Sequence, residues 1–150
     1  MGSIDGRRLE IHAILVTFAR AACNAQGVAR RLGYLAAGVD ESLDGIPDFH
    51  AAVETLVSAA PVTEAARAMR DRLSDEDRQV LRETRAARDE LVYDFFIDHP
   101  LLPPTGTPDA ALVERARTRL GHLVAILDRA RSLTDRLESD LAEPDGSAAR

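Results

Sequence analysis

The chain has 150 residues, 45% of them hydrophobic, one cysteine and a formal net charge of −6. A domain of this length buries roughly 68–70% of its unfolded surface, so neither metal nor disulfide is required to hold it together. All 19 basic residues are arginine, which with the heavy alanine content reflects a biased coding composition; the acidic balance excludes general phosphate binding and leaves only a local strip at Arg78, Arg82, Arg85 and Arg88.

Residues 1–7 read as a disordered or vector-derived start without the apolar run of a signal peptide, and no stretch is long enough to span a bilayer. From 8 to 37, Leu9, Ile11 or His12, Leu15, Phe18, Ala22, Ala25, Ala29, Leu32 and Ala36 recur at steps of three and four, the spacing of one helix face. Gly27 and Gly33 leave open whether this is one helix or two. Cys23, near Phe18 and Ala19, reads as a small buried apolar group, and a lone thiol excludes an intramolecular disulfide. A cytoplasmic setting follows.

The stretch 38–48 reads as a loop, with "YLAAG" and "GIPD" as turn material and Asp48 able to cap a short helix through Val57. Pro61 breaks that helix, and a further piece covers Val62 to Leu73. "SDED", 74–77, is a strong helix start, with Ser74 as cap and Asp77 at the capping-box position. The helix it opens should run to about Asp98, because His99 precedes Pro100. Its buried face is Val80 or Leu81, Thr84, Ala87, Leu91 or Val92, and Phe95, with Phe95 and Phe96 as core anchors and Arg85 pairing Asp89 one turn on. "HPLLPPTGTP", 99–108, is a stiff connector, after which Thr107 caps a helix with Pro108 in its first position. The last helix carries a stripe from Leu112 to Leu141, and 143–150 is a disordered tail. The fold expected is all-α, one bundle of four or five helices over residues 8–142.

The chemistry is sparse. There is no Glu-x-x-His pair, no Cys-x-x-Cys, no glycine-rich phosphate loop and no Gly-x-Ser-x-Gly. No metal or cofactor is implied. Asp89, Asp94 and Asp98 do not share one face, and His12, His50 and His122 are scattered. The one dense block is "AARDELVYDFF", 86–96, where Arg88 sits at the edge of the apolar face. Its plain structural account is that Arg88 packs its stem and meets an acid while Tyr93 covers a seam between helices.

The segment "RDELVYDFF" resembles the Arg-Asn-x-Leu-Ala-His-x-Phe-Phe block of small bacterial all-helical proteins related to the HEPN superfamily. Arg88, Leu91, Phe95 and Phe96 match it, while Asp89 replaces the asparagine and Tyr93 the histidine. In members that cut RNA, two protomers bring their copies together, the histidine moves the proton and the arginine stabilises charge on phosphate. Tyrosine, with a pKa near 10, is a poor base at neutral pH, and Asp89 adds negative charge where phosphate would sit.

The resemblance therefore implies a noncatalytic interaction module, acting as a homodimer or on a protein partner through Arg85, Arg88, Asp89, Tyr93 and Phe96. The alternative is a dimeric, metal-independent ribonuclease or phosphodiesterase with RNA as partner, using Arg88 with Tyr93 or His99. His99 lies eleven residues from Arg88, some 16 Å along an ideal helix, so that pair requires the chain to turn back at Pro100 or a second protomer to supply one of the two. A third reading is an apolar-ligand binder lined by Leu101 and Leu102, whose simpler role is to pin the connector to the core.

Overall fold

A computed structural model describes residues 4–38, 48–57, 64–102, 106–107 and 109–143. Every regular element among them is helical: α1 (Ile4–Ala37), α2 (Phe49–Val57), α3 (Glu64–Asp71), α4 (Asp75–Asp89), a π-turn (Glu90–Asp94), α5 (Phe95–Asp98) and α6 (Ala110–Ala142). Because α4, the π-turn and α5 run on without a break, residues 75–98 form one rod, and the described residues make an all-α bundle of five helices. None of them is long and apolar enough to cross a membrane.

The long helices α1 and α6 lie against each other, α4 packs on α6 and α2, and α2 and α3 close over the second half of α1. The reason is in their spacing. In α6 the buried residues Val113, Ala116, Leu120, Leu123, Leu127, Ala130, Thr134 and Leu137 alternate steps of three and four, a seam of period 3.5. Ile14, Ala21, Ala25, Val28 and Leu32 do the same on α1, so the two helices present continuous stripes that pack side chain between side chains. The alanines in both stripes allow close approach. Two apolar clusters result along the bundle: one gathers Leu32, Leu56, Met69, Leu81 and Leu137, the other Ile14, Leu91, Phe95, Leu120 and Leu123.

The capping box at Ser74 forms as expected: Ser74 Oγ accepts from the Asp77 backbone N–H at 3.1 Å, and Asp77 Oδ2 accepts from the Ser74 backbone N–H at 2.8 Å. Asp48 caps α2 by accepting from the His50 and Ala51 backbone N–H groups. Met69, Leu73, Val80, Leu81, Thr84, Ala87, Leu91 and Phe95 are buried as their periodicity requires, and Leu101 pins the connector to the core.

Several expectations are corrected. Helix α1 is single and begins at Ile4, so residues 4–7 are helical. Gly27 does not interrupt it, and Tyr34 to Ala37 form its last turn, ended by Gly38 at φ 65°. Its first half is turned relative to the expected face: Leu9 and Leu15 are exposed while Ile14 and Ala21 are buried, because two apolar stripes overlap there and the 3.5 period of the second half selects the other one. Cys23 faces outward. The third helix, Glu64–Asp71, ends two residues before the expected Leu73, and residues 62–63 fall outside the described residues. Asp109, not Thr107, caps α6, its carboxylate accepting from the Ala111 N–H at 2.8 Å; the acid is extended at φ −106°, ψ 122° and directly precedes the first helical residue. The expectations for residues 1–3, 39–47, Pro61, Pro108 and 144–150 fall outside the described residues.

Candidate functional site

Arg88 is on the last turn of α4, and its surroundings come from three helices. Beneath the guanidinium lies the ring of Phe49 at the start of α2, with Cζ 5.5 Å from the ring centroid. Next to it stands His50, brought there because Asp48 starts α2 at that point. His50 Nε2 is 3.0 Å from Asp89 Oδ1 and 3.5 Å from Arg88 NH1. One ring nitrogen cannot serve both neighbours. A carboxylate only accepts, so Nε2 carries hydrogen and donates to Asp89, and the Arg88 approach is then a contact without a hydrogen bond. The remaining acid for Arg88 is Asp89 at 3.6 Å, beyond hydrogen-bond range. Arg88 Nε is buried and has no hydrogen-bond partner among the described residues.

These groups open onto a pocket of about 690 Å³ between α1, α2 and the end of α4, where Cys23, Gln26, Gly27 and Arg30 of α1 form the facing wall. Their spacing of three, four and seven places them on one face of that helix.

Of the other sequence candidates, Arg85 turns away, meeting Glu54 of α2 at 3.3 Å in place of Asp89. Asp89 prefers His50, a long-range partner whose position the helical spacing cannot reveal. His99 does not join Arg88. It packs on the Phe95 ring at 5.4 Å and lies 4.0 Å from Glu90, which also accepts from Arg119 of α6 at 2.7 Å and 2.5 Å. That forked bond from Arg119 holds the Glu90 carboxyl below the ordinary range against the opposing effect of burial, with the charge of His99 adding to it. The strip Arg78, Arg82, Arg85 and Arg88 is no free basic patch, since Arg78 meets Asp75, Arg82 meets Gln79 and Arg85 meets Glu54. No cluster of metal-ligating side chains occurs among the described residues, and Asp89, Asp94 and Asp98 form none.

Tyr93 and Phe96 belong to a second feature. In the π-turn the Phe95 N–H donates to the Glu90 carbonyl, five residues back. The wider turn absorbs an extra residue, so the residues beyond it lag behind α-helical phase. Phe95 stays in the core, and Phe96 is drawn onto Phe18 of α1 with ring centroids 4.5 Å apart. Left at the surface are Val92, Tyr93 and Ile97, exposed by 45%, 64% and 76%, along with the half-exposed Phe96 and Leu102. Tyr93 therefore covers no seam.

His50 is the functional candidate that sequence reasoning missed. Its signal was the Asp48-x-His50 helix start, but only the fold shows that this start abuts Arg88. No protein-family model matches the sequence, and no match was found among curated proteins or solved structures.

Proposed function

We propose that this protein is a noncatalytic helical interaction module, resembling a HEPN-type domain whose polar motif positions have been replaced, and that it pairs with a second copy of itself. The observation that carries this reading is the apolar face of Val92, Tyr93, Phe96 and Ile97. Large apolar groups scattered singly over a surface need no explanation, whereas four within six residues form a patch of the kind that marks an association site. Tyr93 fits a contact role better than proton transfer: it stands in the histidine position of the resembling block, and an aromatic ring with a polar tip suits an interface. A two-fold contact would let each copy cover the other's patch. The single free thiol fits a reducing, cytoplasmic setting.

The test is the molar mass in solution by light scattering over a range of concentrations. A concentration-dependent dimer is expected; a monomer throughout would overturn self-pairing and direct the search to a different protein partner.

One observation favours a second reading, RNA cleavage: Arg88 has a histidine beside it after all, His50 rather than His99. Against it, Asp89 already holds His50. Cleavage of single-stranded RNA that disappears in Arg88→Ala would establish this activity, and its absence at high protein concentration would remove it.

A further inference from the structure

The pocket at Arg88 has a use of its own, separate from the apolar face. We propose that it binds a small-molecule oxyanion, a carboxylate or phosphate monoester carried on an apolar or aromatic body.

Several arginines of this protein reach an acid on another helix. In a chain of net charge −6, Arg31, Arg119, Arg129 and Arg136 each meet a carboxylate at 2.6 Å or closer. Two arginines on the pocket wall are different. Arg88 has a buried Nε without a hydrogen-bond partner among the described residues and its best acid 3.6 Å away. Arg30 meets no carboxylate among the described residues, its guanidinium lying 5.6 Å from the Tyr34 ring centroid. Two acids beside the pocket already have partners, Asp48 in capping α2 and Asp89 in holding His50. The two guanidinium groups are thus left with donors that no close carboxylate among the described residues takes up.

Geometry adds selectivity. A guanidinium held over the Phe49 ring is restricted in orientation, and its planar fork suits two oxygens of one anion. Burial of an unpaired donor is costly, and a ligand oxygen removes that cost. The His50 ring, oriented by Asp89, lies 3.5 Å from Arg88 NH1, on the side of the guanidinium away from Nε–H. Phe49, Ala29 and the open side of Gly27, where an added Cβ would meet nothing within 4 Å, offer apolar surface to the ligand's body. At about 690 Å³ the volume suits a small organic molecule. Walls from three helices favour such a molecule over a polymer strand.

The experiment titrates the full chain with inorganic phosphate and, separately, with benzoate, following the Arg88 Nε–H and His50 ring signals by NMR. Saturable shifts are expected with at least one probe. Phosphate alone would assign the phosphate monoester class and benzoate alone the carboxylate class. Two variants sharpen the result: Arg88→Gln removes the fork, and Gly27→Phe fills the pocket from an exposed helical position while leaving Arg88 in place. Each should weaken binding at least tenfold, and Gly27→Phe decides the matter if Arg88→Gln does not fold. Three results would overturn the proposal: no saturation by either probe, binding unchanged in the variants, or saturation only by a single-stranded RNA oligomer. Since the pocket uses none of Val92, Tyr93 or Ile97, the same titration on a variant of that face separates it from self-association.

Discussion

Replacing Ile97 by Asp puts a charge at the centre of the proposed self-association face. Ile97 is 76% exposed, and full burial of such a side chain is worth about 1.5–3 kcal/mol, so covering it in a partner recovers roughly 1–2 kcal/mol per copy. A two-fold interface contains the residue twice, which makes the loss roughly 2–4 kcal/mol, or about 30- to 1,000-fold in the dimer Kd. Burying an unpaired carboxylate adds to that figure, so it is a lower bound. The monomer itself should hardly notice, because a substitution at so exposed a position changes stability by within about 0.5 kcal/mol. Sedimentation equilibrium or light scattering of wild type and variant over the same concentrations measures the difference, with far-ultraviolet circular dichroism and a thermal melt as controls. A folded variant that dimerises as tightly as wild type would show that the face is not the interface.

The fold itself sets three further outcomes. Ser74→Ala removes one arm of the capping box and should cost about 1 kcal/mol, read as a fall of roughly 2–4 °C in Tm for a chain of this size. Gly38→Ala should destabilise more than an ordinary helix-end change, since Gly38 has φ 65° and the new Cβ would lie 2.5 Å from Ala65 Cβ; a melt unchanged from wild type would contradict so close an approach. Glu90, held below its ordinary value of 4.5 by the bond from Arg119, contributes stability that is fully present above the unfolded value and is lost as pH falls through the lower folded value. Denaturant titrations from about pH 6 down to about pH 3 should therefore show a declining acid limb that Glu90→Gln makes shallower, and an unaltered limb would remove Glu90 from the account.

Fold class was readable because burial in a bundle leaves a period in the chain. The stripe of α6 and the second half of α1 keep to it residue by residue, and Asp48 and Ser74 announce their helices by local chemistry alone. Where two stripes compete, as at Leu9, Leu15 and Ile14, only the neighbouring helix decides which faces inward. The π-turn was hidden for a related reason: Ala87, Leu91 and Phe95 lie four apart and satisfy an unbroken α-helix equally well, so the phase lag shows only in Phe96 and His99. The site was half legible. Arg88 stood out by its place at the edge of an apolar face, but its neighbours His50 and Phe49 lie 38 and 39 residues away in sequence, and nothing in the periodicity links them. His99 was an attractive partner by type, and its place beside Glu90 and Phe95 is decided by Arg119 on another helix.

The lengths of α1 and α6, 34 and 33 residues, bear on how the protein moves through solution. At about 1.5 Å per residue each extends roughly 50 Å, whereas a compact sphere of this chain length is about 39 Å across. Since the two helices run alongside each other, a single copy is a rod-like particle that drags more water than its mass requires. On a sizing column it elutes ahead of globular standards of 16.3 kDa, in the range of a rounder and heavier particle. Apparent size from elution would thus overstate the mass of one elongated copy, and mass must be weighed by scattered light.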